Sequence, residues 1–177
     1  MKRFAILRDV APDTDWEALD SAAIQNLINM TFPEFFVDRA WDRTLPQKVS
    51  WIRTYWEQGS NWGTCLYEAP DEQAVRDWHE LCFVPYAGIR EVEVEEDTML
   101  AEYPRGFHQP ADKAPLVVVE SASAPETAQG YRFIRTYRFA DTGEEMQLFL
   151  APAGTESAPP AGRVVRRVVE IRPEDYQ

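Results

Sequence analysis

The chain has 177 residues, 45% of them hydrophobic and 12% aromatic, which suits one ordinary globular domain or two very small ones. A formal net charge of −12 with no clustered basic run argues against nucleic acid as a partner. No apolar run approaches the roughly 20 residues a bilayer span needs, and acidic residues follow the first apolar segment before a signal-peptide core could form, so a cytoplasmic protein without a membrane partner is expected.

In chain order, "RFAILRDV" has the length and β-branched content of a strand that stops before Pro12. A capping-box pair, Thr14 and Glu17, then precedes Trp16, Leu19, Ala23, Leu27 and Met30, whose spacing predicts an amphipathic helix to about residue 30. The segment from 31 to 47 carries Phe32, Phe35, Phe36 and Trp41, and reads as a packed loop with a helical turn. "KVSWIRTYWE", the turn "QGSNWG" and "TCLYEA" read as a β-hairpin. Pro70 ends it, Asp71 is placed to cap a helix, and Ala74, Val75, Trp78, Leu81 and Cys82 share one face of that helix. "IREVEVEED" alternates valines with glutamates, the pattern of a strand with one wet face.

The resulting order, βαββαβ, predicts an α+β fold for residues 1–100: a ferredoxin-like sandwich with two helices on one face of an antiparallel sheet. The other face needs a cover, by self-association or by the remainder of the chain. Residues 101–177 contain such a remainder. A constant offset sets "WIRTYW" over "FIRTYR" and "CLYEAP" over "QLFLAP", with seven of the twenty positions from 51 to 70 identical to their counterparts. "VVRRVVEIRPED" echoes "GIREVEVEED" in the same way, while "SASAPETAQG" and "AGTESAPPAG" are too short and too rich in Pro, Gly or Ser for helices. The second half therefore reads as a degenerate, β-rich repeat packed on or beside the first, within one globular unit.

Motifs for the familiar chemistries are missing. There is no GxSxG, HExxH, Walker loop, GxGxxG or CxxC, so no catalytic residue is assigned and no enzyme of a recognised class is indicated. Two cysteines are too few for a disulfide framework. His79 and Cys82 lie three apart on one helix, but the surrounding acids disfavour a catalytic thiolate. A transition-metal site could draw an imidazole from His79, a thiolate from Cys65 or Cys82, and a carboxylate from Glu68, Asp71 or Glu80. Against this stands the ordinary reading of His79 as a surface or half-buried residue. The alternate glutamates of "EVEVEED", Glu91, Glu93 and Glu95, read as solvent-facing. Arg53 and Arg135 occupy equivalent repeat positions, either as anion-binding groups or as ion-pair partners of strand glutamates.

Arg8-Asp9, Trp51 with Thr54-Tyr55, Cys65-Leu66-Tyr67, Ala69-Pro70-Asp71, Ala74-Val75-Arg76 and the stretch from Ile89 to Val92 together resemble a bacterial family of nickel-binding-protein-like domains with a ferredoxin-like fold, over about residues 3–95. The sequence has Arg53 and Trp78 where many members of that family carry histidine. The resemblance implies a small protein that binds a divalent transition metal such as nickel; on this chain the donors would be His79, Cys65, Asp9 and Glu68. The alternative is a dimeric α+β-barrel-like enzyme or binding module for a small hydrophobic molecule, with Trp51, Arg53, Tyr55, Trp56 and Trp62 lining its pocket. A structural or interaction protein with an exposed apolar sheet face is a third reading.

Overall fold

A computed structural model describes residues 1–9, 49–57, 60, 62–82, 86–97, 103, 116–123, 130–152 and 159–172. The first four strands are β1 (Lys2–Asp9), β2 (Ser50–Trp56), β3 (Trp62–Ala69) and β4 (Gly88–Glu96). The helix α1 (Glu72–Cys82) lies between β3 and β4. Four more strands follow: β5 (Leu116–Ser121), β6 (Arg132–Phe139), β7 (Glu145–Leu150) and β8 (Val164–Ile171). The helix expected over 14–30 and the aromatic loop after it lie outside the described residues.

The eight strands form one closed antiparallel barrel in the order β1-β3-β2-β8-β5-β7-β6-β4. This overturns the expected α+β ferredoxin-like sandwich: among the described residues there is one short helix, and the sheet closes on itself without a free edge. The physical reason lies at the edges. β2 and β4 bound the first four-stranded sheet, and each would present unpaired backbone groups to solvent. Thr54, Tyr55 and Trp56 of β2 instead pair with Ile171, Glu170 and Val169 of β8, while the stretch Val92 to Glu96 of β4 pairs with Phe139 to Arg135 of β6. The second half joins the first edge to edge and is not a layer laid upon it.

Both halves use the same internal order, β4-β1-β3-β2 and β8-β5-β7-β6, with the last strand next to the first and the third between first and second. The offset visible in the sequence carries β2 onto β6 and β3 onto β7. It also carries one irregularity onto another, because the β2 register shifts between Trp51 and Arg53 and the β6 register between Phe133 and Arg135. A bulge at this point re-aims the chain, so that two consecutive residues face the same side. Ile52 and Ile134 pack into the barrel interior, and Arg53 and Arg135 follow them there.

Alternation along the strands sorts the rest of the core. Ala5, Leu66, Val92, Leu116, Val118, Leu148 and Val168 fill the interior. Phe4, Ile6, Cys65, Tyr67, Val169 and Ile171 face outward beneath α1, where they meet Ala74, Val75 and Trp78. The helix begins where the sequence places it, since the backbone N–H of Ala74 donates to Asp71 Oδ1 at 2.8 Å and so satisfies one of the first-turn donors. Glu72 and Arg76 then pair one turn apart. No described helix is long and apolar enough to cross a membrane.

Candidate functional site: a charged cluster in the barrel mouth

Towards one end of the interior the two bulges deliver their arginines. Arg135 is almost fully buried and donates from Nη1 to Tyr55 Oη at 2.6 Å, Tyr103 Oη at 2.8 Å and Glu170 Oε2 at 2.9 Å. Its Nε donates to Glu96 Oε1 at 3.2 Å, and Nη2 reaches the same oxygen at 2.5 Å. Glu170, with no exposed surface, also accepts from Tyr103 Oη and from Arg172 Nε, each at 2.5 Å. Arg172 Nη2 donates to Tyr103 Oη at 3.0 Å. The hydroxyls of Tyr55 and Tyr137 share a hydrogen bond at 2.8 Å, their rings meeting edge to face.

Two carboxylates among three guanidinium groups explain why buried charge is tolerated here. Burial by itself would raise the Glu170 pKa, but Arg135, Arg53 and Arg172 outweigh it and hold the carboxyl below its ordinary value. Glu96 follows the same pattern, with burial opposed mainly by its bond to Arg135. Burial pushes the Tyr137 hydroxyl up to about 12, and the Tyr55 hydroxyl well above its usual value. Near neutral pH, therefore, the arginines and glutamates are charged and the tyrosines neutral.

Arg53 is held more loosely than Arg135. Its Nη1 lies 3.6 Å from Glu96 Oε1 and 3.7 Å from Glu170 Oε1, and this buried atom makes no hydrogen bond. Beside it is a cavity of about 140 Å³. Ile52, Leu66 and Val94 supply its apolar wall, Glu96 and Tyr137 its polar one, and the Arg3–Glu68 ion pair stands at 3.1 Å on its rim.

The residues singled out from the sequence fall on both sides of the barrel wall. Of the aromatic-pocket set, Arg53, Tyr55 and Trp62 belong to the interior, whereas Trp51 and Trp56 lie in the outer cluster beneath α1. Of the proposed metal donors, Cys65 is on the outer side, where Thr54 Oγ1 donates to its Sγ at 2.9 Å. His79 is buried on the same side, edge to face with Tyr67, Trp78 and Tyr86, and its Nδ1–H donates to the Val75 carbonyl at 2.8 Å. Glu68 belongs to the opposite face of β3, at the cavity rim. Asp9 ends β1, opposite Trp62 in register. Among the described residues no three His, Cys, Asp or Glu side chains are grouped to hold a metal.

The sequence reading missed Glu96, Glu170, Tyr103, Tyr137 and Arg172. A signal for Tyr137 was present, since the repeat sets it over Tyr55. Glu96 follows from strand parity: it lies two and four residues beyond Val94 and Val92, which pack into the interior, and it binds Arg135 there. Nothing local marked Tyr103, which comes from the connection between the halves.

Fold and site define a small antiparallel β-barrel, built from two like halves, with a charged and partly open interior. The model of the SCO4226-like family, described as nickel responsive proteins, matches residues 4–92, which take in β1, β2, β3, α1 and the first part of β4. The chain belongs to this family. Comparison with curated proteins and with solved structures yields no match.

Proposed function

We propose that the protein is a binding module for a small organic molecule held in the mouth of the barrel, within a family described as nickel responsive. The observation that carries this reading is the cavity beside Arg53, where an apolar wall of Ile52, Leu66 and Val94 faces the polar groups of Arg53, Glu96 and Tyr137. A concave apolar surface with a few convergent polar groups is the common form of a small-ligand site. Its volume of about 140 Å³ suits a ligand of a single small ring. The test is an NMR titration of the isotopically labelled protein with phenol as a neutral probe. Saturable shifts confined to Ile52, Leu66, Val94 and their neighbours support the reading, as does their loss in Ile52→Trp, which fills the cavity. Shifts spread evenly over the barrel, or none with either phenol or a charged ring of the same size at millimolar concentration, overturn it.

A second reading is favoured by the family description: uptake of a divalent transition metal such as nickel, with His79 of α1 and Cys65 of β3 as the two donors on the outer side of the barrel. Calorimetric titration with nickel and zinc tests it. Tight binding that disappears in His79→Ala, with the amide spectrum of the variant unchanged, supports it; absence of heat with either ion rejects it.

A further inference from the structure

The two halves of the barrel are equivalent strand for strand, which makes their differences informative. Pairing registers place Arg135 of the second half where Arg53 stands in the first, Glu170 where Val94 stands, and Arg172 where Glu96 stands. The cavity beside Arg53 therefore has a counterpart beside Arg135, and that counterpart is occupied. Tyr103 packs against the interior cluster with its hydroxyl bonded to Arg135, Glu170 and Arg172, the equivalents of three residues around the cavity. The Arg135 guanidinium lies 5.7 Å from the centroid of the Tyr103 ring. One half thus supplies its own phenol. The other half keeps a space of about 140 Å³, close to the roughly 150 Å³ cavity that admits benzene in another protein.

Charge distinguishes what the open half would take. Arg135 has Glu170 at 2.9 Å, but Val94 replaces that carboxylate beside Arg53. The nearest carboxylate oxygens to Arg53 Nη1 are 3.6 and 3.7 Å away, and both belong to glutamates already bound by Arg135. Glu68 at the rim is likewise engaged by Arg3. Among the described residues of this cluster, three guanidinium groups face two carboxylates. A ligand carboxylate at Arg53 would balance the count and form the charge-assisted bond that this nitrogen lacks, while its ring covered Ile52, Leu66 and Val94.

Resting on the reading of the cavity as a ligand site, we propose that its ligand is a small aromatic carboxylate of benzoate size, with the carboxylate on Arg53 and the ring in the space that Tyr103 fills in the other half. The test uses benzoate and phenol as probes on the full chain, followed by calorimetry and by the Arg53 Nε–Hε resonance. Benzoate should bind saturably and move that resonance. Phenol should bind at least about tenfold more weakly, the scale of one hydrogen bond to a charged group. Arg53→Gln should weaken benzoate by a similar factor. Val94→Glu, which installs the carboxylate found in the second half, should do the same, and it provides the test if Arg53→Gln does not fold. Phenol binding as tightly as benzoate, or benzoate affinity unchanged in a folded variant, overturns the carboxylate assignment and leaves the cavity as a neutral site. Failure of both probes to bind overturns the assignment and the cavity reading together.

Discussion

Tyr55 and Tyr137 occupy the same place in the two halves of the chain, and their hydroxyls meet at 2.8 Å inside the barrel. Tyr55 additionally accepts a bond from Arg135, so the contact joins the seam between the halves to the charged cluster. Tyr55→Phe should cost about 1–3 kcal/mol, because it removes an acceptor from a buried guanidinium. Tyr137→Phe should cost about 0.5–1.5 kcal/mol, and the double variant less than the sum of the two. Urea unfolding of the four proteins measures the coupling; strict additivity would show that the hydroxyl contact contributes nothing.

Glu170 is the buried anion that Arg135, Arg53 and Arg172 share. Its substitution by Gln leaves those guanidinium groups short of a carboxylate and should destabilise the protein by about 3–5 kcal/mol. The folded-state pKa values of Glu170 and Glu96 are depressed, so their contribution is present above the ordinary carboxyl value and is lost as pH falls through the lower folded values. Stability measured from pH 6 downward should therefore decline in the acid range, and less steeply in Glu170→Gln. Parallel curves for the two proteins would count against this role.

At alkaline pH the tyrosines work in the opposite direction. The Tyr137 pKa is raised to about 12 and that of Tyr55 also lies above 10.0, so their burial favours the folded state fully below pH 10.0. That contribution is lost as pH rises through about 12. Spectrophotometric titration should show a set of hydroxyls that ionise only with unfolding, and Tyr55→Phe and Tyr137→Phe should each reduce that set by one. An unchanged set in either variant would contradict the burial.

Closure of the barrel within one chain leaves no free strand edge to drive dimerisation by strand pairing. We therefore expect light scattering to give the mass of one chain, 20.4 kDa. A mass twice as large would show that another surface, such as the outer side of the second half, mediates self-association.

Much of the local structure was legible because it depends on neighbours in sequence. Alternating β-branched and aromatic residues set the strands of the hairpin, Asp71 set the start of α1, and the repeated "IRTY" showed that two hairpins were alike. The same patterns described four strands but not what their edges would meet, and an open sandwich followed from them naturally. Edge pairing is a long-range event: Thr54 meets Ile171 and Val92 meets Phe139 only because two similar sheets have complementary free edges. Register then decided function-bearing positions. A one-residue bulge turned Arg53 and Arg135 inward, and strand parity sent Glu96 and Glu170 to meet them. Side chains in a strand alternate strictly, so the sequence by itself determined which residues share a face. Only the closed barrel decided which face was the inside, and hence that Glu96 and Glu170 would hold a buried arginine.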